Sequence, residues 1–184
     1  IGTWQDGLYR YHIKENKFTH YPPLSENNSV LSLFQDSRGV LWVGTSGYGL
    51  YKVNFSSDKQ TLSIEKNYRY DPLNISSIPS DYIYSIHEDL QTHSLWLGSR
   101  DGIGIMNMAN EGTFINYKES NPEHYLPVRE VNTVFRDKNG LMWIGTKGTG
   151  VFHTDTHARS FDVLYPRGNE KFFTDLISTL YIEE

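Results

Sequence analysis

Apolar side chains in this sequence gather in short segments that carry them on both parities and end in an acidic residue. Three such segments are Val30-Leu31-Ser32-Leu33-Phe34-Gln35-Asp36, Ile83-Tyr84-Ser85-Ile86-His87-Glu88-Asp89 and Val131-Asn132-Thr133-Val134-Phe135-Arg136-Asp137. Ile177-Ser178-Thr179-Leu180-Tyr181-Ile182-Glu183 is a fourth. A strand that is apolar on both faces is covered on both faces, which predicts sheets stacked against one another. Ser85, Thr133 and Thr179 stand in register with Ser32. This level of small residues predicts innermost strands crowded near a common axis.

A second pattern follows each of the first three segments. Leu41-Trp42-Val43-Gly44-Thr45, Leu95-Trp96-Leu97-Gly98-Ser99 and Met142-Trp143-Ile144-Gly145-Thr146 are full copies, and Ile1-Gly2-Thr3 is a truncated one. The marker glycines are 42, 54 and 47 residues apart, the blade length of a β-propeller. Before two of these strands, Asp36-Ser37-Arg38-Gly39 and Asp137-Lys138-Asn139-Gly140 read as tight turns in which the aspartate bonds the turn backbone. The third copy has Asp89-Leu90-Gln91-Thr92-His93-Ser94 instead, longer and without glycine, which predicts a looser hairpin.

A glycine turn comes next in each copy, then a third strand (Leu8–Tyr11, Leu50–Val53, Ile105–Met108, Val151–His153). Outer strands follow at Phe18–Tyr21, Ser63–Tyr68 and Thr113–Tyr117. The fold class expected is all-β, a propeller of four-stranded antiparallel blades. The divisions are a partial blade at 1–28, blades at 29–80, 81–127 and 128–175, and the first strand of a further blade at 176–184. The C-terminal strand can complete the N-terminal blade; because four blades is small for a propeller, a segment of a larger ring is the favoured reading. Trp42, Trp96, Trp143, Gly44, Gly98, Gly145, Asp36 and Asp137 are assigned to architecture, because they recur.

Charge and composition narrow the chemistry. Seventeen Lys and Arg against 22 Asp and Glu leave a net charge of −5, the wrong sign for neutralising phosphates, so nucleic acid and anionic membrane are poor partners. Cysteine is absent, which removes disulfides, zinc-thiolate sites and cysteine nucleophiles. The start, Ile1-Gly2-Thr3-Trp4, has no Met and no signal-peptide pattern, so an excised piece of a longer protein is expected.

The glycine turns at 44–49 and 145–150 superficially suggest phosphate loops, but strands follow them and a phosphate cradle needs a helix N-terminus. His153-Thr154-Asp155-Thr156-His157 alternates metal-ligand types at a spacing too wide for one ion on an extended strand. Glu88-Asp89 and Glu183-Glu184 point their carboxylates to opposite faces, unlike a glycosidase pair. Asn27, Asn54 and Asn74 begin Asn-x-Ser sequons, which matter only in a secreted eukaryotic protein. No catalytic residue, metal or cofactor is expected.

The pattern Asp-x-x-Gly-Φ-Φ-Trp-Φ-Gly-Thr, followed by a glycine turn and an aliphatic-aromatic strand, resembles the two-component regulator propeller repeat; 137–152 is the nearest copy. The resemblance implies the periplasmic sensor region of a Bacteroides-type hybrid histidine kinase, built from seven-bladed propellers and switching on genes for glycan use. It implies an oligosaccharide ligand, packing on other blades of the same chain, a homodimer of the parent, and kinase and DNA-binding activities carried elsewhere. The alternative is a propeller scaffold for protein contact without a small ligand.

Any binding surface of a propeller lies in the loops at one end of its channel. Here those are the turns between second and third strands, with Trp4, Gln5, Tyr48, Arg100, Asp101 and Lys147, and the polar connectors 70–74 and 119–125. Aromatic faces and charged donors at positions that vary between copies are suited to holding sugars.

Overall fold

The computed structural model describes residues 1–21, 24, 29–155 and 161–164. Strands β1 (Leu8–His12) and β2 (Lys17–Tyr21) form an antiparallel pair, and a bridge from Gly2 to Leu8 adds the N-terminus on their inner side. Three four-stranded meanders follow. The first is β3 (Val30–Gln35), β4 (Leu41–Thr45), β5 (Leu50–Phe55) and β6 (Leu62–Tyr68). The second is β7 (Ile83–Asp89), β8 (Ser94–Ser99), β9 (Gly102–Asn107) and β10 (Phe114–Tyr117). The third is β11 (Val131–Arg136), β12 (Leu141–Thr146), β13 (Val151–Asp155) and β14 (Asp162–Leu164). β14 has no counterpart among the strands named from sequence, and the segment 177–183 lies outside the described residues.

The sheets stack as blades, with β3 against β7 and β7 against β11. Because side chains alternate along a strand, each blade feeds one face to the blade before it and the other to the blade after. Trp42, Leu50 and Tyr68 of the second blade pack with Ile83, Ile86, Leu97 and Phe114 of the third. Trp96, Ile103 and Tyr117 pack with Val131, Val134 and Ile144 of the fourth. On the other side of β4 and β5, Val43, Tyr51 and Val53 join Leu8 and Tyr21 of the first blade.

The small-residue level of the inner strands makes close contacts between blades. Ser32 lies opposite Gly44, and its hydroxyl donates to the Ile83 carbonyl of the next blade at 3.1 Å. A Cβ on Gly44 would sit 2.1 Å from Ser32 Oγ and 2.8 Å from the Ile83 oxygen, so the motif glycine is required by close approach of two blades. Gly98 meets Val131 in the same way. Each of β3, β7 and β11 also carries one extra residue in the same place, at Leu31, Tyr84 and Asn132, where the register shifts.

The remaining motif residues tie each blade together. Asp36 accepts backbone N–H bonds from Arg38 and Val40 and the indole N–H of Trp42 at 3.0 Å. Asp137 does the same with Asn139, Leu141 and Trp143. Burial works against both carboxylates ionising, yet these donors together hold them below the usual range. The hydroxyls of Thr3, Thr45, Ser99 and Thr146 donate to the carbonyl of Gly7, Gly49, Gly102 and Gly150 across the following turn.

The glycine-free hairpin of the third blade is held by a relay instead of being left loose. Trp96 donates to Ser94 Oγ, which bonds Thr92 Oγ1, which donates to Asp89. His93 takes the left-handed conformation (φ 50°) that glycine supplies elsewhere.

Strand order fixes which loops share an end. The turns after β4, β8 and β12 lie at the same end as the connectors entering β3, β7 and β11. Hydrogen bonds lock them: Gly47 and Gly49 N–H to Asp81 O, Arg100 N–H to Tyr82 O, Gly102 N–H to Arg129 O, and Lys147 N–H to Glu130 O.

Candidate functional site

That end of the molecule carries a line of ring and cation pairs. Arg69, just past β6, holds its guanidinium carbon 5.6 Å from the Tyr48 ring and pairs with Asp81 at 2.8 Å. Arg100 lies 5.0 Å above the Tyr82 ring. Lys118 reaches to within 5.9 Å of the Tyr70 ring and 3.6 Å of Asp101. Asp81 also accepts the Tyr70 N–H, which closes the connector on itself, and Arg69 donates to the Gly47 carbonyl of the second-blade turn.

Behind this line a groove of about 280 Å³ runs between two connectors, lined by Tyr70, Asp71, Asn74, Ser77, Lys118 and Asn121 among others. Its walls are built by side-chain bonds to backbone. Asn74 Oδ1 accepts the Ser76 N–H and Asp71 Oδ1 the Leu73 N–H. Asn121 accepts the Glu123 N–H and donates to the Asn116 carbonyl. Asn116 donates from Nδ2 to the carbonyls of Ile75 and Ser77, and its buried Oδ1 has no partner. The arrangement offers hydroxyl-matching donors and acceptors beside one aromatic face, at a volume near the lower limit of ordinary ligand sites.

The six residues proposed from sequence do not form one pocket. Tyr48, Arg100 and Asp101 fall in the line just described. Lys147 pairs with Glu130 at 3.1 Å on the fourth blade. Trp4 is largely exposed, and Gln5, with φ 67°, is held by its N–H to Ser29 Oγ. None of the six lines this groove. Arg69, Asp81, Tyr82 and Lys118 were missed because each stands at the margin of a strand, where an apolar count sees only the strand's end. The signal available was positional: every turn at this end has to find its hydrogen-bond acceptor in a connector.

Other clusters are structural. Glu111, in the hairpin after β9, binds Arg38 at 3.0 Å and Lys52 at 2.9 Å across the blade boundary, and Lys52 also pairs with Glu65. Burial opposes its charge, but the two cations hold its carboxyl below the usual range. His87 lies between Phe34 and Phe135 and accepts the Arg136 N–H at Nε2; burial, helped by Arg136, lowers its proton affinity. His153 packs on Trp143, with ring centres 5.2 Å apart. Among the described residues no group of three or more His, Asp or Glu could hold a metal, and no helix is long and apolar enough to cross a membrane.

The stacked meanders define a class: this is a segment of a β-propeller. The family model described as "Two component regulator propeller" matches residues 24–47 and 125–148, about a quarter of the chain. The fold is similar to that of the extracellular domain of a hybrid two-component system from B. thetaiotaomicron. That likeness has a TM-score of 0.69 and 21% identity, over 90% of this chain and 23% of that one. It is equally similar to PorZ, a surface component of the type-IX secretion system of Porphyromonas gingivalis, with a TM-score of 0.69 and 18% identity, over 97% and 27%. The chain thus spans only about a quarter of the length of either protein. No curated protein sequence matches it.

Proposed function

We propose that these blades belong to the extracytoplasmic, periplasmic sensor region of a hybrid two-component regulator and contribute to detecting a glycan-derived oligosaccharide. The signal would pass to a histidine kinase elsewhere in the parent chain, and no catalysis is assigned to the blades. The observation that carries this reading is the connector end. The repeated frame there presents Tyr48, Tyr82, Arg100, Lys118 and the groove beside Tyr70, all at positions that differ between copies, while the residues that recur are consumed by blade geometry. The family match and the hybrid-system likeness support the sensor assignment.

A thermal-shift and calorimetric screen of the intact extracytoplasmic region against plant and host oligosaccharides tests it. Saturable binding that weakens when Tyr70→Ala and Asn121→Ala are introduced is the expected result. A second reading, a scaffold without a small ligand, is favoured by the likeness to a secretion-system component. Silence across the panel with parent dimerisation intact would select it, and turnover of any saccharide would overturn both.

A further inference from the structure

The connector end carries five described cations that differ in one respect. Arg69 is matched by Asp81 at 2.8 Å, Arg129 by Glu119 at 3.2 Å, Lys147 by Glu130 at 3.1 Å and Lys118 by Asp101 at 3.6 Å. Arg100 has no acid. Its guanidinium rests on the Tyr82 ring and makes no hydrogen bond or ion pair with any described residue. A planar guanidinium has five N–H donors in a fixed fork, and stacking on a ring occupies its face while leaving those edges unspent.

The placement of this cation is built in. The Arg100 backbone N–H donates to Tyr82 O, the Asp101 N–H to Ser99 Oγ, and the Gly102 N–H to Arg129 O, so three bonds fix the turn. Tyr82 is itself wedged under the turn of the preceding blade, where a Cβ on Gly47 would come 3.4 Å from its ring and hydroxyl. Tyr82 is also bridged to Ser46. The turn that carries the fork is therefore fixed, and the Tyr82 ring gives the guanidinium a resting face.

We infer that Arg100, stacked on Tyr82, anchors a carboxylate, so that the saccharide taken at the connector end is an acidic one bearing a uronate. The guanidinium edge matches a carboxylate in plane and in spacing, giving two parallel charge-assisted bonds, whereas a neutral sugar hydroxyl uses one donor at a time. The net charge of −5 means that long-range attraction does not gather anions here, so selection is local to this group. The inference rests on the sensor reading above and specifies its ligand class.

The full chain is titrated calorimetrically with α-1,4-linked trigalacturonate and with a hyaluronan tetrasaccharide, each beside its methyl ester, which keeps the sugar and removes the charge. At least one acid is expected to bind tenfold or more tightly than its ester. Arg100→Gln should erase that difference without moving the melting temperature, and Arg100→Lys should restore only part of it. Equal binding of acid and ester, or a preference that survives Arg100→Gln, overturns the inference and leaves the sensor reading standing. Absence of binding by these probes and by neutral oligosaccharides alike overturns both.

Discussion

Six residues separate Asp36 from Trp42, and Asp137 from Trp143, because the carboxylate has to cap its own turn with one oxygen and reach the indole N–H of the following strand with the other. Trp42→Phe keeps the buried ring and removes that bond. It should cost about 2 kcal/mol, as expected for a hydrogen bond to a charged acceptor, read as a lower urea midpoint at unchanged slope. The motif aspartates and tryptophans were legible because they recur at fixed spacing. The reason for the motif glycine was not, since the Ile83 oxygen that excludes a Cβ comes from the next blade. The third-blade hairpin likewise read as loose, because a relay through Thr92 and Ser94 has no repeat to announce it.

Between elements, the blades are keyed by polar contacts that differ at each boundary. Glu88 accepts from the N–H and hydroxyl of Ser37 in the preceding blade, and Arg136, one repeat further on, pairs with Asp89 at 2.9 Å. Glu111 clamps Arg38 and Lys52 at the same boundary that Trp42 fills. Glu111→Gln should cost about 2 kcal/mol, between the values of exposed and fully buried pairs, because Lys52 keeps Glu65. The clamp is also acid-sensitive. Its carboxyl is lower in the folded state than in the unfolded chain, so its contribution is complete above the ordinary carboxylate range of about pH 4–5 and is lost as pH falls through the lowered value. Urea midpoints taken from pH 7 to pH 3 should fall less steeply in Glu111→Gln than in the parent; identical slopes would remove the clamp from the account. These keys were invisible beforehand because their partners stand 47 to 73 residues apart at positions that vary.

For the molecule as a whole, the strand order followed from the repeat, while the connector end had to be read from how turns meet connectors. The boundary between the first and second blades departs from the others. Ile1 is 63% exposed, whereas Val43, Leu97 and Ile144 in register with it are fully buried; Leu33 is 36% exposed against 6% for Ile86. The same side holds a cleft of about 640 Å³ lined by Ile1, Tyr9, Tyr11, Leu33 and Leu41. An apolar blade face left open should drive self-association of the isolated chain. Sedimentation velocity at rising concentration should show it, and Leu33→Lys with Tyr11→Lys should reduce it; a concentration-independent monomer would contradict the reading of this face.

The molecule divides into a frame that recurs and a connector end proposed to bind a saccharide. Hydrogen exchange followed with and without a bound oligosaccharide tests that division most directly. Protection is predicted at 46–49, 69–82, 100–102 and 118–130, the turns and connectors of one end, with the hairpins at 36–40, 56–61 and 90–93 unchanged. Protection confined to those opposite hairpins would contradict it.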